Sequence, residues 1–199
     1  MPHPDELEVD RKEPSNQVEV ALKMLIEAMH SEFDWFNEEE LKNTPSRIYR
    51  FYQEMKATSE FKFTQFDDTK TDQLVILRDI DFSSLCSHHM LPFKGKAHVG
   101  YLPNGKICGI SKLARVVVHY ASKPQTQEAL TQEVADFLFT KLKARFVMVV
   151  FTGHHECMSM RGTKQADSDM VTSAMRHEGA MEDANWMSLK EEFLTLIKI

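Results

Sequence analysis

The sequence predicts an α+β fold built on an antiparallel sheet. Three observations carry this. Apolar residues recur at helical spacing near both ends and in the middle of the chain. The period switches twice to β-branched, partly alternating runs. The resulting order is helices, strand pair, helix pair, strand pair, helix, which is not the alternation of a doubly wound sheet.

Taken in order, residues 1–14 mix Pro, Asp, Glu, Arg and Lys and are expected to form a flexible N-terminus with no signal-peptide core. Residues 15–72 read as an N-terminal helical region. Over 15–30, Val18, Leu22, Leu25 and Met29 fall on one stripe. Residues 37–42 predict a short acidic helix or turn. Thr44-Pro45 then predicts a new helix, with Thr as cap and Pro in its first position. Ile48, Phe51, Tyr52 and Met55 would line its inner face, and 57–72 reads as loop.

Residues 73–199 form the second region. Strands are expected over 74–81 and 94–102. Pro103-Asn104-Gly105 predicts a hairpin into 106–110. Helices follow over 111–122 and 126–143, the latter with Leu130, Val134, Leu138 and Leu142 every four residues. Residues 146–152 predict a strand, Gly153 a turn, and 155–161 the next strand. The tail from 185 reads as an amphipathic helix, with Leu189, Phe193 and Leu196 on one side.

Composition limits the function classes. The 199 residues are 42% hydrophobic and 27% charged, enough for a core without disulfides. A net charge of −6 argues against a general nucleic-acid binder. The longest strongly apolar run, 146–151, is far short of the roughly 20 residues of a membrane helix. Three cysteines suit a reducing compartment, so a cytoplasmic enzyme is expected.

The nine histidines cluster with the cysteines. Cys86-Ser87-His88-His89 and His154-His155-Glu156-Cys157 together offer two thiolates and an imidazole to one metal. Zinc accepts that set, and three protein ligands leave a position for water, the catalytic arrangement. Cys86, His89 and Cys157 are assigned as ligands, with His88 left as a proton carrier. If 155–161 is extended, His155 shares a face with Cys157 and His154 points away. Met158, Met160 and Cys108 are read as core residues.

Two further stretches suit a nucleotide. Residues 109–115 place Ser111 and Lys112 at a helix start, with Arg115 one turn on, where backbone N–H groups favour an anion. Lys112, Arg115 and Arg161 could together neutralise a polyphosphate; a solvated basic face is the plainer reading. In Gln125-Thr126-Gln127-Glu128, near the next helix start, the carboxylate could accept from the ring N–H and exocyclic amine of guanine together, although Glu is common in first turns.

With these residues assembled, the chain resembles GTP cyclohydrolase I. The resemblance rests on residues 86–89, 109–115, 125–132 and 155–157 and on Arg161-Gly162, in that order and at similar separations. It extends from Thr44-Pro45-Ser46-Arg47 into the C-terminal helix. It implies the tunnelling fold, an antiparallel four-stranded sheet with a helix pair between its middle strands, here with N-terminal helices. It also implies a toroidal homo-oligomer, a decamer. The implied reaction is hydrolysis of GTP to formate and 7,8-dihydroneopterin triphosphate, which opens pterin, folate-type or deazaguanine biosynthesis. By resemblance, Cys86, His89 and Cys157 hold Zn2+, and His155 transfers a proton at the purine. His88 and Ser111 serve the ribose. Glu128 with Gln127 anchors guanine, and Ser111, Lys112, Arg115, Arg161 and Arg50 contact ribose and phosphates. Two departures from the family pattern are Ser87, where a Glu is usual, and Ser159, where Lys or an apolar residue is usual. Two other classes compete: another tunnelling-fold enzyme acting on a purine or pterin, such as a nitrile reductase of deazaguanine synthesis, and a non-catalytic zinc-stabilised oligomer. No nucleic-acid or membrane partner is expected.

Overall fold

A computed structural model describes residues 17–57, 61–68, 70–179 and 184–198. The flexible segment expected over 1–14 lies outside them. The chain divides into two compact units, one ending at Met55 and the other beginning at Lys56.

In the first unit, α1 spans Gln17–Phe33. Its buried residue is Ile26, while Val18 and Leu25 of the predicted stripe are exposed. Helix α2 spans Glu38–Ala57 without a break and carries Pro45 inside it. Thr44-Pro45 is therefore not a helix start. The start lies upstream, at a reciprocal cap: the Glu40 N–H donates to Asn37 Oδ1 (3.0 Å) and the Asn37 N–H to Glu40 Oε2 (2.9 Å). That cap satisfies two otherwise unpaired donors. Pro45 lacks the N–H for one helical bond and its ring crowds the carbonyl four residues back, yet the helix continues through it. On the expected inner face Ile48, Tyr52 and Met55 are part-buried, but Phe51 is exposed.

The second unit contains β1 (Gln65–Asp67), β2 (Val75–Cys86), β3 (Pro92–Leu102), β4 (Lys106–Cys108), α3 (Ile110–Ala121), β5 (Pro124–Gln125), α4 (Gln127–Leu142), β6 (Phe146–His155), α5 (Glu156–Ser159), β7 (Asp169–His177) and α6 (Ala184–Ile197). The main sheet runs β5-β2-β3-β6-β7. Its four long strands are antiparallel, with α3 and α4 inserted between the middle pair; the two-residue β5 adds a parallel edge on β2.

Strand β6 explains the architecture in miniature. Val147, Val149 and Phe151 join one core with Leu113, Val116 and Val117 of α3 and Leu130, Val134, Leu138 and Leu142 of α4. Phe146, Met148 and Val150 alternate onto the other face, with Trp186, Phe193 and Ile197 of α6. Helices cover both faces, so the strand reads as a continuous apolar run. Each fully buried aliphatic side chain here contributes about 1.5–3 kcal/mol.

The structure changes several expected elements. Strand β4 does not form a hairpin with β3; it pairs with β1, in a stretch read as loop, through Asp67↔Lys106 and Gln65↔Cys108. The Asp68 N–H donates to the Gly105 carbonyl (3.0 Å) and closes that small sheet. Gly153 is not a turn. Strand β6 passes through it to His155, and 156–159 is helical, so the strand expected over 155–161 is absent. The next strand is β7. Met158 and Met160 are 40% and 63% exposed and are not core. Cys108 is buried as expected. On α6, Phe193 and Ile197 are buried and Leu196 is exposed.

Candidate active site

Two strand ends bring the cysteines together. At the first, Cys86 closes β2 and is paired with Gln125 of β5. The chain then turns tightly. The Cys86 N–H donates to the Leu91 carbonyl (2.8 Å), and the Met90 N–H returns to the Cys86 carbonyl (2.8 Å). Met90 takes a positive φ of 54°. Cys86 is thereby buried at the base of the turn, with His88 and His89 exposed on it.

At the second, β6 ends on His155 and Cys157 lies in the single turn of α5. The ligand atoms of Cys86, His89 and Cys157 all lie within 4.8 Å of one another. Cys86 Sγ is 3.8 Å from His89 Nδ1 and 3.9 Å from His88 Nδ1. Tetrahedral zinc, with Zn–S of about 2.3 Å and Zn–N of about 2.0–2.1 Å, places neighbouring ligand atoms about 3.5–3.8 Å apart. The Cys86–His89 pair is at this spacing, and all three atoms are close enough to converge on one zinc ion. His88 lies beside the same thiol but outside the three-atom group.

His155 is held from two directions. Its ring stacks on Phe93, its cross-strand partner, at 4.6 Å between centroids and 4° between planes. Its Nε2 meets Gln127 Oε1 at 2.9 Å. Gln127 is 1% exposed, and its Nε2 donates to the Phe151 carbonyl, the Met170 carbonyl and Thr172 Oγ1 at 3.2, 2.9 and 3.1 Å. Among the described residues, the hydrogen bonds of that amide all go to protein groups. Glu128, next in sequence, is exposed at the helix start that Thr126 caps.

Burial holds the His155 ring below the usual histidine range; the Glu128 carboxylate opposes this and His154 adds to it. Burial, then the neighbouring Cys86 thiol, push Cys157 up, while Arg161 pulls it down. Glu128 and Arg161 therefore act electrostatically on the site. His154 faces away, 3.4 Å from Asp169. The expectation that His155 and His154 take opposite faces holds within β6, although the strand ends there.

The anion-binding candidates lie on other elements. Ser111, Lys112 and Arg115 lie on the first turns of α3, whose cap residue Gly109 supplies no side-chain hydrogen bond. Ser111 and Arg115 are exposed and Lys112 is half-buried. Among the described residues, no hydrogen bond or ion pair joins them to Cys86, His89 or Cys157. Arg50 is exposed on α2, in the first unit.

Sequence reasoning missed Phe93, Thr172 and the internal role of Gln127. A signal existed for the last: residues 127, 130, 134 and 138 share the buried face of α4, so a Gln there must find internal partners.

The sheet, its inserted helix pair and the Cys–His–Cys group define a tunnelling-fold enzyme with a metal-competent site. Residues 18–198 match GTP cyclohydrolase I, and the chain belongs to that family. The GTP cyclohydrolase 1 of Sulfurihydrogenibium sp. is 40% identical over 183 residues, covering 92% of this chain and 94% of that protein. The GTP cyclohydrolase 1 of Carboxydothermus hydrogenoformans is 44% identical over 166 residues, covering 80% and 84%. The crystal structure of the archaeosine synthase QueF-Like in the apo form aligns over 56% of this chain and 99% of its own, with TM-score 0.44 and 18% identity.

Proposed function

We propose that this protein hydrolyses GTP to formate and 7,8-dihydroneopterin triphosphate, using Zn2+ held by Cys86, His89 and Cys157. The observation that carries the reading is the convergence of those three ligand atoms within 4.8 Å, in a member of this family. Residues 73–199 act as the catalytic domain, and the 15–72 region ahead of it is helical only in α1 and α2, with β1 belonging to the second unit. The ion would supply Lewis-acid activation of water at the purine carbon that leaves as formate.

The remaining work falls to this chain's side chains. His155, stacked on Phe93 and bonded to Gln127, holds a proton for the purine nitrogen beside the reacting carbon. Glu128 is free to accept from the guanine ring N–H and exocyclic amine, and Gln127 contributes to that end of the site through His155. Ser111 and His88 move protons during ribose opening. Lys112, Arg115 and Arg161 hold the triphosphate, with Arg50 reaching it from another copy, and this remote binding steadies the purine. The protein works in the cytoplasm as a toroidal homodecamer and supplies a pterin, folate-type or deazaguanine route. No helix among the described residues is long and apolar enough to cross a membrane.

The test is turnover of GTP by the purified protein with and without a chelator, following oxidised pterin fluorescence and formate together. Chelator-sensitive formation of both in equal amounts supports the proposal. Intact GTP, with zinc bound and the oligomer assembled, refutes it.

A further inference from the structure

A chain of hydrogen bonds with a determined direction runs beneath the site. Carbonyl oxygens only accept. Thr131 Oγ1 donates to the Gln127 carbonyl at 2.7 Å, which uses its single proton. The 2.6 Å contact between Thr131 and Thr172 must then be donated by Thr172. Thr172 Oγ1 in turn accepts from Gln127 Nε2, which also faces the Phe151 and Met170 carbonyls. Three acceptors surround that end of the amide. Reversing the amide would set its oxygen against two carbonyl oxygens, so the orientation is unique.

Oε1 is therefore the atom that meets His155 Nε2, and that nitrogen must carry a hydrogen. We infer that Gln127 is a positioning residue that fixes the tautomer of His155, holding the proton on Nε2 and leaving Nδ1 as the nitrogen that exchanges protons with substrate. This rests on the function proposed above and replaces the guanine contact expected of Gln127 with an action through His155. A separate feature supports it. A Cβ on Gly153 would overlap Gln127 Oε1 and sit 3.2 Å from its Cδ, so the glycine makes room for the amide oxygen. Phe93 sets the plane of the ring, and Gln127 sets which edge faces inward.

The first measurement is nitrogen-15 solid-state NMR on histidine-labelled, zinc-loaded protein, above the histidine range, with His155→Gln used to assign the signal. The expected result is a protonated Nε2 and a bare Nδ1; the reverse overturns the inference. This measurement needs no turnover, so it stands or falls separately from the proposed function.

The second is Gln127→Met, which keeps length and removes both polar ends. With GTP, kcat should fall by about 10²-fold, the lower end of a general acid's contribution. KM and zinc content should stay near wild type, and the His155 signal should split between tautomers. A raised KM with unchanged kcat would make Gln127 a base contact and refute the inference. If Gln127→Met fails to fold, the wild-type spectrum still decides.

Discussion

The pairing of two glycines across the central strands yields a quantitative prediction. Gly95 on β3 and Gly153 on β6 are register partners. Replacing Gly153 with Ala puts a methyl group into Gln127 Oε1, 3.3 Å from Phe82 Cζ as well. Either the amide moves or the strand does. Overpacking of this kind costs about 1–3 kcal/mol. Moving the amide breaks its bonds to His155 and to the Phe151 and Met170 carbonyls. Leaving a buried polar group unpaired costs about 1–3 kcal/mol. The reduced freedom of the unfolded chain returns about 0.4–1 kcal/mol. Only one of these routes is taken, so at mid-range Gly153→Ala should lose about 1–2 kcal/mol after that gain. At Gly95 the added Cβ would run into the Thr152 carbonyl oxygen, which is backbone and cannot swing aside, so Gly95→Ala should lose more. The assay is urea denaturation at one fixed chain concentration, because any oligomer ties stability to concentration. A Gly153→Ala protein as stable as wild type, with an unshifted His155 signal, would refute the wedge between strand and amide.

Three other outcomes are expected. Cys157→Ala should lose bound zinc and GTP turnover together, read by metal analysis and formate release; retained zinc would remove Cys157 from the ligand set. His155→Ala should keep its zinc and slow turnover by about 10²–10⁴-fold, the range of a general acid, and normal turnover would exclude His155 from proton transfer. His98 is 4% exposed and accepts from the Asp79 N–H at 3.3 Å. Burial holds it below the usual histidine range; Asp79 opposes this, and Arg78 and Lys96 add to it. The unfolded chain thus binds that proton more tightly, so stability should be full above about pH 6.5 and fall as pH drops through that value. Urea midpoints for wild type and His98→Gln on either side of that pH should show a shallower slope in the variant, and equal slopes would refute the assignment.

Much of the fold was legible because its signals are local. The four-residue spacing of Leu130, Val134, Leu138 and Leu142 reports a helix face, and all four are fully buried. The apolar run of β6 reports a strand covered on both sides. The Cys86, His89 and Cys157 set was put forward from residue chemistry, and the structure brings their ligand atoms within 4.8 Å of one another. The errors share a cause. Thr44-Pro45 has the chemistry of a helix start, but the Asn37–Glu40 cap had already started that helix. Pro103-Asn104-Gly105 does turn the chain, yet β4 takes β1 as its partner. Gly153 has the residue type of a turn, but its missing side chain serves a neighbour, Gln127, that is 26 positions away.

The sequence by itself determined helices α3 and α4, strands β2, β3 and β6, the apolar face of α4, and which side chains could bind a metal, because these follow from spacing and chemical type. Tertiary structure alone decided which partner each element takes. It set Phe93 against His155, turned the Gln127 amide inward, and gave the network beneath the site its direction. Those outcomes depend on contacts between residues far apart in the chain. Their strength comes from burial, where a polar atom must find a specific partner or incur the full cost of leaving water.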